Sequence, residues 1–439
     1  MTSFNSIQFF DLVTNKNVWE YYQLYQKTQW LSKEQIEEIK LDKFKKLVAH
    51  CYENVPFYRE QWIALKIKPF DINTLSSIEQ LPVIDKSIVL KNHNKFIPKN
   101  LKEFKGVKIS KTSGTTGQVL PIYTDNITRS SVWGSFERFY SWMGKTNNDY
   151  IFNLKGQHVI KRSFKDYLKN LALAIIEKKY IINAYELDEE KALEYYNWMK
   201  KQKHPIILRG YCQNIYDLAQ IYKEHNLTLN LKAITTTAEP LLDYQRKLFK
   251  EVFECQTFDQ YGCGEIGGIA YECDSHEGLH ITEERVILEV NKANELILTD
   301  LDNYTFPLIR YKNGDNAILT TNECSCGRKS KLIKEILGRT SDNIYGLNGN
   351  HLHWGYFHHL FIDSGIAENK NLIKFQIIQK SKSKIEILLV SDDLNLIEKK
   401  LLTDEICKVL GNVEITIKNV NNIPLEKSGK HKAIISEFT

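Results

Sequence analysis

"EEKALEYYNWMKKQKHPIILRGYCQNIYDLAQIYKEHNLTLNLKAITTTAEPLLDYQRKLFKEVFECQTFDQYG", residues 189–262, is three amphipathic helical segments, each followed by a short apolar run. "EEKALEYYNWMKKQ" leads to "PIILRGY", "QNIYDLAQIYKEH" to "LKAITTTAE", and "YQRKLFKEVFE" to "CQTFDQYG". Helix and strand in strict alternation predict a layered α/β sheet.

Upstream, residues 17–65 repeat apolar side chains at three and four spacing, which predicts helices, with Ser32 and Gln35 as a capping box and Pro56 as an interruption. "GVKISKTSGTTGQVLPIYTD" reads as strand, Gly-rich turn, strand; 126–143 as an aromatic-rich helix; 158–180 as a basic amphipathic helix. Downstream, "RVILEV", "ELILTDL", "PLIRYK" and "NAILTT" predict four short strands of a β subdomain. Beyond "GRTSDNIYG", the pieces "KFQIIQK", "KIEILLV", a helix over 394–411 and "VEITIKNV" give a small β-β-α-β segment. The expected fold is α/β: a large N-terminal α/β domain with layered sheets and a β subdomain over 1–340, and a small, mobile α+β domain over 341–439, the boundary falling near 339–345.

Composition limits the function. The chain has 439 residues, so two or three domains are expected. With 42% hydrophobic and 26% charged residues it reads as globular, and a net charge of +5 over this length does not argue for nucleic acid. The N-terminus lacks a secretory pattern and no run approaches the ~20 apolar residues of a membrane span. Eight cysteines without a signal segment suggest thiols or metal ligands in a reducing compartment, hence a cytoplasmic protein. The basic helix at 158–180 allows peripheral contact with an anionic membrane or an acidic glycan precursor, although a solvated face explains it as well.

Four stretches carry chemistry. "KTSGTTGQVL", 111–120, gathers small and hydroxyl residues whose backbone N–H groups can face a phosphate, but it lacks Walker spacing, and a flexible turn accounts for it equally well. "QYGCGEIGG", 260–268, offers an aromatic ring, close backbone and a carboxylate suited to a base and Mg²⁺, or else is a strand-end turn. In "FPLIRYKNGDNAIL", Asp315 could accept from ribose hydroxyls, whereas Asn-Gly-Asp is also good hairpin chemistry. "PLEKSGKHKAII" sets a lysine in a Gly-containing turn, or is a solvated basic tail. Cys273, His276 or His280, Cys324 and Cys326 could form a tetrahedral zinc site with no open position, which is the structural kind; unpaired core thiols are the alternative. Cys51, Cys212, Cys255 and Cys407 read as core residues, and Cys263 has no base beside it. "HLHWGYFHHLF" reads as packing and surface histidines rather than a second metal site.

In this order, the Thr/Ser/Gly loop, Tyr-Gly-x-x-Glu, Tyr-x-x-Gly-Asp, Gly-Arg-x-x-Asp and terminal Ser-Gly-Lys resemble the adenylate-forming superfamily. Within it the chain is similar to the phenylacetate–CoA ligase branch, especially members associated with capsule and other surface polysaccharides. "QWLSKEQIEE…KLVAHCYENVPFYRE", "ECDSHEGLHI" and "CSCGRKSK" are similar to that branch, and the resemblance runs over residues ~25–436.

The resemblance implies roles. Ser113, Gly114, Thr115, Thr116 and Gly117 wrap the β- and γ-phosphates of ATP. Ala238, Glu239 and Pro240 line the adenine, Tyr261, followed by Gly262, stacks on it, and Glu265 binds Mg²⁺ and serves catalysis. Asp315 and Arg339 hold the ribose. Lys430 is the catalytic lysine on the small domain, with Lys432 the alternative register. His280, in "GLHI", is favoured over His276 for structural zinc with Cys273, Cys324 and Cys326. The hinge falls at Ser341, where relatives carry an acidic residue, or at Asp342. The implied reaction is attack of a small carboxylic acid on ATP, releasing pyrophosphate. The acyl group then passes to an amine or hydroxyl of a sugar or polysaccharide precursor, or to coenzyme A as in an aryl-acid CoA ligase. A metal and one mobile cation would cancel the repulsion between two anions without covalent catalysis. The aromatic residues of 133–142 could line an aryl pocket or simply be core. A non-catalytic nucleotide-binding scaffold is the remaining alternative.

Overall fold

The computed structural model describes residues 6–111, 119–155, 178–184, 187–339, 343–352, 354–424 and 431–437. The chain divides into two compact units, one of Met1–Lys292, Leu296–Asn313 and Leu319–Lys334, the other of Ala293–Glu295, Gly314–Ile318 and Glu335–Thr439.

The first unit begins with helices Ser6–Thr14, Val18–Thr28, Lys33–Asn54 and Pro56–Ala64. Ser32 Oγ accepts from the Gln35 N–H and the Gln35 side chain accepts from Ser32 N–H, so the predicted capping box starts the third. Pro56 does not merely interrupt: it occupies the first turn of the next helix, where a missing N–H costs nothing. Phe44, Leu47, Val48 and Cys51 form the buried stripe of Lys33–Asn54. On the same helix Lys40 is buried, and its ammonium lies 2.6 Å from the carboxylate of the distant Glu283. Lys43 pairs with Asp302 at 2.7 Å.

The helix–strand alternation builds a five-stranded, wholly parallel sheet in the order Lys179–Asn183, Tyr150–Lys155, Ile206–Tyr211, Ala233–Thr237, Gln256–Phe258. Helices Glu189–Lys200, Cys212–Glu224 and Asp243–Phe253 connect the last four strands in sequence. The aromatic-rich helix is Asn126–Trp142, started by the Asp125 carboxylate accepting from Thr128 N–H, and its Phe136, Phe139 and Tyr140 pack on Ile151, Ile207, Ala233 and Phe258 of this sheet. Most of the predicted basic helix lies outside the described residues, but its last two residues, Lys179 and Tyr180, belong to a strand. The strands flanking the Gly-rich loop, Lys108–Lys111 and Pro121–Thr124, pair antiparallel as expected.

After Phe258 the chain leaves the parallel sheet and, one residue on, enters a second, largely antiparallel one. Its order is Val286–Val290, Glu295–Asp300, Tyr311–Thr320, Leu332–Arg339, Leu279–Ile281, Gly267–Glu272, Gln260–Cys263, with Ile84–Asp85 beside Tyr311–Thr320. Here the sequence reading needs correction. "PLIRYK" and "NAILTT" are not two strands joined by an Asn-Gly-Asp turn; residues 311–320 run as one strand through Gly314. Gly314 has φ +84°, a conformation that glycine adopts without strain, so the irregularity is absorbed within the strand.

The second unit holds the sheet Glu414–Asn419, Lys384–Val390, Lys374–Ser381, Ile434–Ser436, covered by helix Leu396–Leu410. Ile385, Ile387 and Leu389 alternate inward against Leu402, Ile406 and Leu410. Asn395 and Glu398 form a capping box at the helix start. The histidine-rich segment supplies strand His351–Leu352 and helix Trp354–Asp363, whose Phe357 and Phe361 enter this core. Cys51 and Cys212 are buried, Cys255 and Cys407 partly so, and all eight cysteines are unbridged.

Candidate nucleotide site and metal centre

"QYGCGEIGG" carries the tight turn between Gln260–Cys263 and Gly267–Glu272. Its glycines are required by close approach. A Cβ on Gly262 would lie 2.4 Å from the Gly267 carbonyl oxygen, and one on Gly268 would lie 1.9 Å from the Tyr271 hydroxyl. The register slips between Gly268 and Ala270, a bulge that re-aims the turn. Tyr261 is buried and its hydroxyl accepts from Asn313 Nδ2 at 2.7 Å; Glu265 is half-buried and accepts from the Tyr311 hydroxyl at 3.2 Å. The ring and the carboxylate thus hang from one turn and are each fixed by the strand beginning at Tyr311.

Ala238, Glu239 and Pro240 follow strand Ala233–Thr237 directly. Ala238 has φ +70°, a left-handed conformation unfavourable for a residue with a Cβ, of the kind held at ligand clamps. Glu239 accepts from the Gln213 N–H at 2.9 Å and so sits at the N-terminus of helix Cys212–Glu224. In the other unit, Asp315 is buried and accepts from Arg339 Nε at 3.1 Å. Ser113, Gly114, Thr115, Thr116, Gly117, Lys430, Ser341 and Asp342 lie outside the described residues. Lys432 is half-buried, and its backbone carbonyl accepts from Gln376 Nε2 at 2.8 Å.

Several residues around the turn carried no sequence signal. Arg285 is fully buried and donates to the carbonyls of Gly268 (2.6 Å) and Ile266 (3.0 Å), gripping the backbone on either side of Gly267. Its neighbours Glu283 and Glu284 are buried too, paired with Lys40 and Arg138. A run "EER" before a strand looks like solvated charge, and only tertiary pairing reverses that. Behind the strand crossing, the Asp259 carboxyl is pushed up to about 7 by burial and by the neighbouring Glu272. Thr236 Oγ1 donates to it at 2.8 Å, while Arg246 holds Glu272 in a two-pronged pair.

Cys273, His280, Cys324 and Cys326 converge, their ligand atoms all within 4.8 Å of one another. Cys273 Sγ to Cys324 Sγ is 3.5 Å and Cys326 Sγ to His280 Nε2 is 3.3 Å, close to the ~3.5–3.8 Å edges of a tetrahedron with zinc-length bonds. His280 Nδ1 is 2.9 Å from Ser330 Oγ, which orients the ring with Nε2 inward. Burial, then the charges of Arg328 and Arg138, depress the imidazole to about 4, so it is neutral, the form that binds metal. Burial raises the Cys326 thiol, but the Arg328 N–H and guanidinium outweigh that and leave it below its ordinary value. Arg328 is itself held between the rings of Trp30 and Trp142, at 4.8 and 4.4 Å. His276 turns elsewhere, with Nδ1 3.1 Å from Glu272. The donor set therefore fits a four-coordinate zinc.

A model of the CapK C-terminal domain matches residues 344–437. Protein CapK of Staphylococcus aureus is 28% identical over 429 residues, covering 91% of this chain and 89% of that protein. Phenylacetate-coenzyme A ligase of Thermus thermophilus is 25% identical over 71% of this chain and 72% of its own length. The fold matches a crystal structure of 2-hydroxyisobutyryl-CoA ligase in the postadenylation state, with TM-score 0.72 and 16% identity over 93% of this chain and 91% of that one. The chain is thus similar over most of its length to Protein CapK and over about seven-tenths of it to phenylacetate-coenzyme A ligases, and it shares the fold of a solved acid–CoA ligase. Among the described residues no helix is long and apolar enough to cross a membrane.

Proposed function

We propose that the protein activates a small carboxylic acid with ATP and Mg²⁺, forming an acyl-adenylate and releasing pyrophosphate. The observation that carries this reading is the turn in which Tyr261 and Glu265 are tied to Asn313 and Tyr311, in a chain similar to phenylacetate-coenzyme A ligases. Residues 1–340 act as the AMP-binding domain and 341–439 as a small domain that brings Lys430 to the reaction, pivoting at Ser341 or Asp342. Ser113, Gly114, Thr115, Thr116 and Gly117 hold the β- and γ-phosphates; Ala238, Glu239, Pro240 and Tyr261 take the adenine; Asp315 and Arg339 take the ribose. Glu265 is the residue that would hold Mg²⁺, which would supply charge neutralisation on the phosphates. Lys430 is a compact cation on a long stem. It stabilises charge developing at the α-phosphate and then withdraws, which admits the second substrate. Zinc in the Cys273, His280, Cys324, Cys326 site is structural. With all eight thiols unbridged, a reducing, ATP-containing cytoplasm suits the reaction.

For the acceptor, the resemblance to members associated with capsule and other surface polysaccharides favours an amine or hydroxyl of a sugar or polysaccharide precursor. Coenzyme A is the second reading, favoured by the named phenylacetate ligases. The test is acid-dependent ATP–pyrophosphate exchange over an acid panel, then turnover of the best acid with and without coenzyme A. Lys430→Ala should lower exchange by orders of magnitude with an unchanged circular dichroism spectrum. Full activity in that variant removes the role of Lys430, and no exchange with any acid removes adenylation.

A further inference from the structure

The parallel sheet changes direction once. From Tyr150–Lys155 the chain moves outward to Lys179–Asn183, then returns to Ile206–Tyr211 on the other side. In open parallel sheets the crevice outside the carboxyl ends of two such strands takes the ligand. Asn153 and Arg209 face each other in register across this point, and Thr235 is in register with Arg209 on the next strand. All three therefore share one face of the sheet, the face on which helix Asn126–Trp142 packs.

Arg209 is half-buried with its guanidinium 4.7 Å from the Phe136 ring centroid, and no acceptor among the described residues pairs with it. Thr235 is fully buried and its Oγ1 has no hydrogen-bond partner. The only carboxylate on the facing helix, Glu137, is already met by Lys145 at 2.6 Å and Lys179 at 3.7 Å. The patch adjoins the turn bearing Glu265: a Cβ on Gly268 would lie 3.3 Å from Phe136 Cζ, and one on Gly267 3.0 Å from Val132 Cγ1. A partly desolvated cation and a buried hydroxyl, both without acceptors, are costly unless a ligand supplies them.

We propose that this patch takes a carboxylic acid bearing a second carboxylate, which Arg209 pairs and Thr235 supports by a donated hydrogen bond, while Phe136 holds the carbon skeleton. The proposal rests on the adenylation reading for the fate of the first carboxylate. The guanidinium fork matches a planar carboxylate. It belongs on the second one because firm pairing of the reacting carboxylate would stabilise the ground state and slow its attack on ATP.

The test compares succinate, glutarate and homophthalate with butyrate, valerate and phenylacetate in ATP–pyrophosphate exchange, and measures their binding by calorimetry. In the wild type each diacid should exceed its matched monoacid about 10-fold in kcat/KM. Arg209→Met should cost the diacids about 100-fold and leave the monoacids within about 3-fold, with partial rescue by Arg209→Lys. Monoacids preferred by the wild type, or equal losses for every acid in Arg209→Met, would overturn the assignment. If exchange fails with all acids yet diacid binding is abolished by Arg209→Met, the adenylation reading falls and the subsite stands. Absence of diacid binding overturns the subsite itself.

Discussion

Arg285 shows how much of the turn depends on one fully buried side chain behind it. Two of its three donated hydrogen bonds flank the backbone that presents Glu265, the third reaches Ser131 Oγ, and its charge lies 3.6 Å from the buried Asp300. Arg285→Met keeps most of the volume and removes all three bonds. We expect kcat for exchange to fall about 10²-fold with a smaller change in the KM for ATP, as for a loss of positioning. The melting temperature should fall too, because Asp300 loses its partner at a cost of about 3–5 kcal/mol. Arg285→Lys, which can reach one carbonyl, should restore part of kcat; a purely structural role would restore the melting temperature and kcat in parallel. No residue-level rule finds Arg285 in the sequence. Glycines in "QYGCGEIGG" are legible because turns demand them, whereas a buried arginine is written in the same letters as a surface one.

At the scale of elements, local pattern sufficed wherever one face is buried. The three helix–strand pairs, the capped Lys33–Asn54 helix and the Ile385, Ile387, Leu389 alternation follow from periodicity alone. Pattern failed at Asn313-Gly314-Asp315, since hairpin residues can also sit within a strand when pairing on both sides outweighs turn preference. The thiol–imidazole cluster is an element in its own right, joining Leu279–Ile281 to the 324–326 knuckle. Its ligands were legible as a spacing, and resemblance favours His280 over His276; the pairing of Leu279–Ile281 with Leu332–Arg339 is the tertiary contact that sets His280 near the knuckle. Purified protein should contain one zinc per chain. Cys324→Ser should lose it and lower the melting temperature by several degrees, an effect that a chelator reproduces on the wild type and not on the variant. Wild-type protein without zinc, melting identically to the variant, removes the metal.

For the whole molecule, the first unit is closed by contacts of very long sequence separation. Lys40 and Glu283 are one such case, an ion pair buried on both sides at 2.6 Å. Lys40→Ala should cost about 3–5 kcal/mol in urea unfolding because Glu283 remains buried without its cation. Lys40→Met with Glu283→Leu should recover most of that loss, since an apolar pair of similar volume replaces both charges. Recovery failing in the double variant would place the energy in the remaining Glu283 contact, the N–H of Lys331, rather than in the ion pair. Such pairings are invisible to any window of sequence. The order of layers was legible; which distant charges meet was not.

The same pair has a consequence for biosynthesis. Lys40 and its apolar neighbours Phe44, Leu47 and Val48 leave the ribosome 243 positions ahead of Glu283. At about 5–20 residues per second, Lys40 waits roughly 10–50 s for its carboxylate, and the helix waits as long for the part of its core that residues 287–311 supply. Nascent chains truncated before residue 283 should therefore be chaperone clients, and the N-terminal helices should gain protease resistance only when the far half of the unit has been translated.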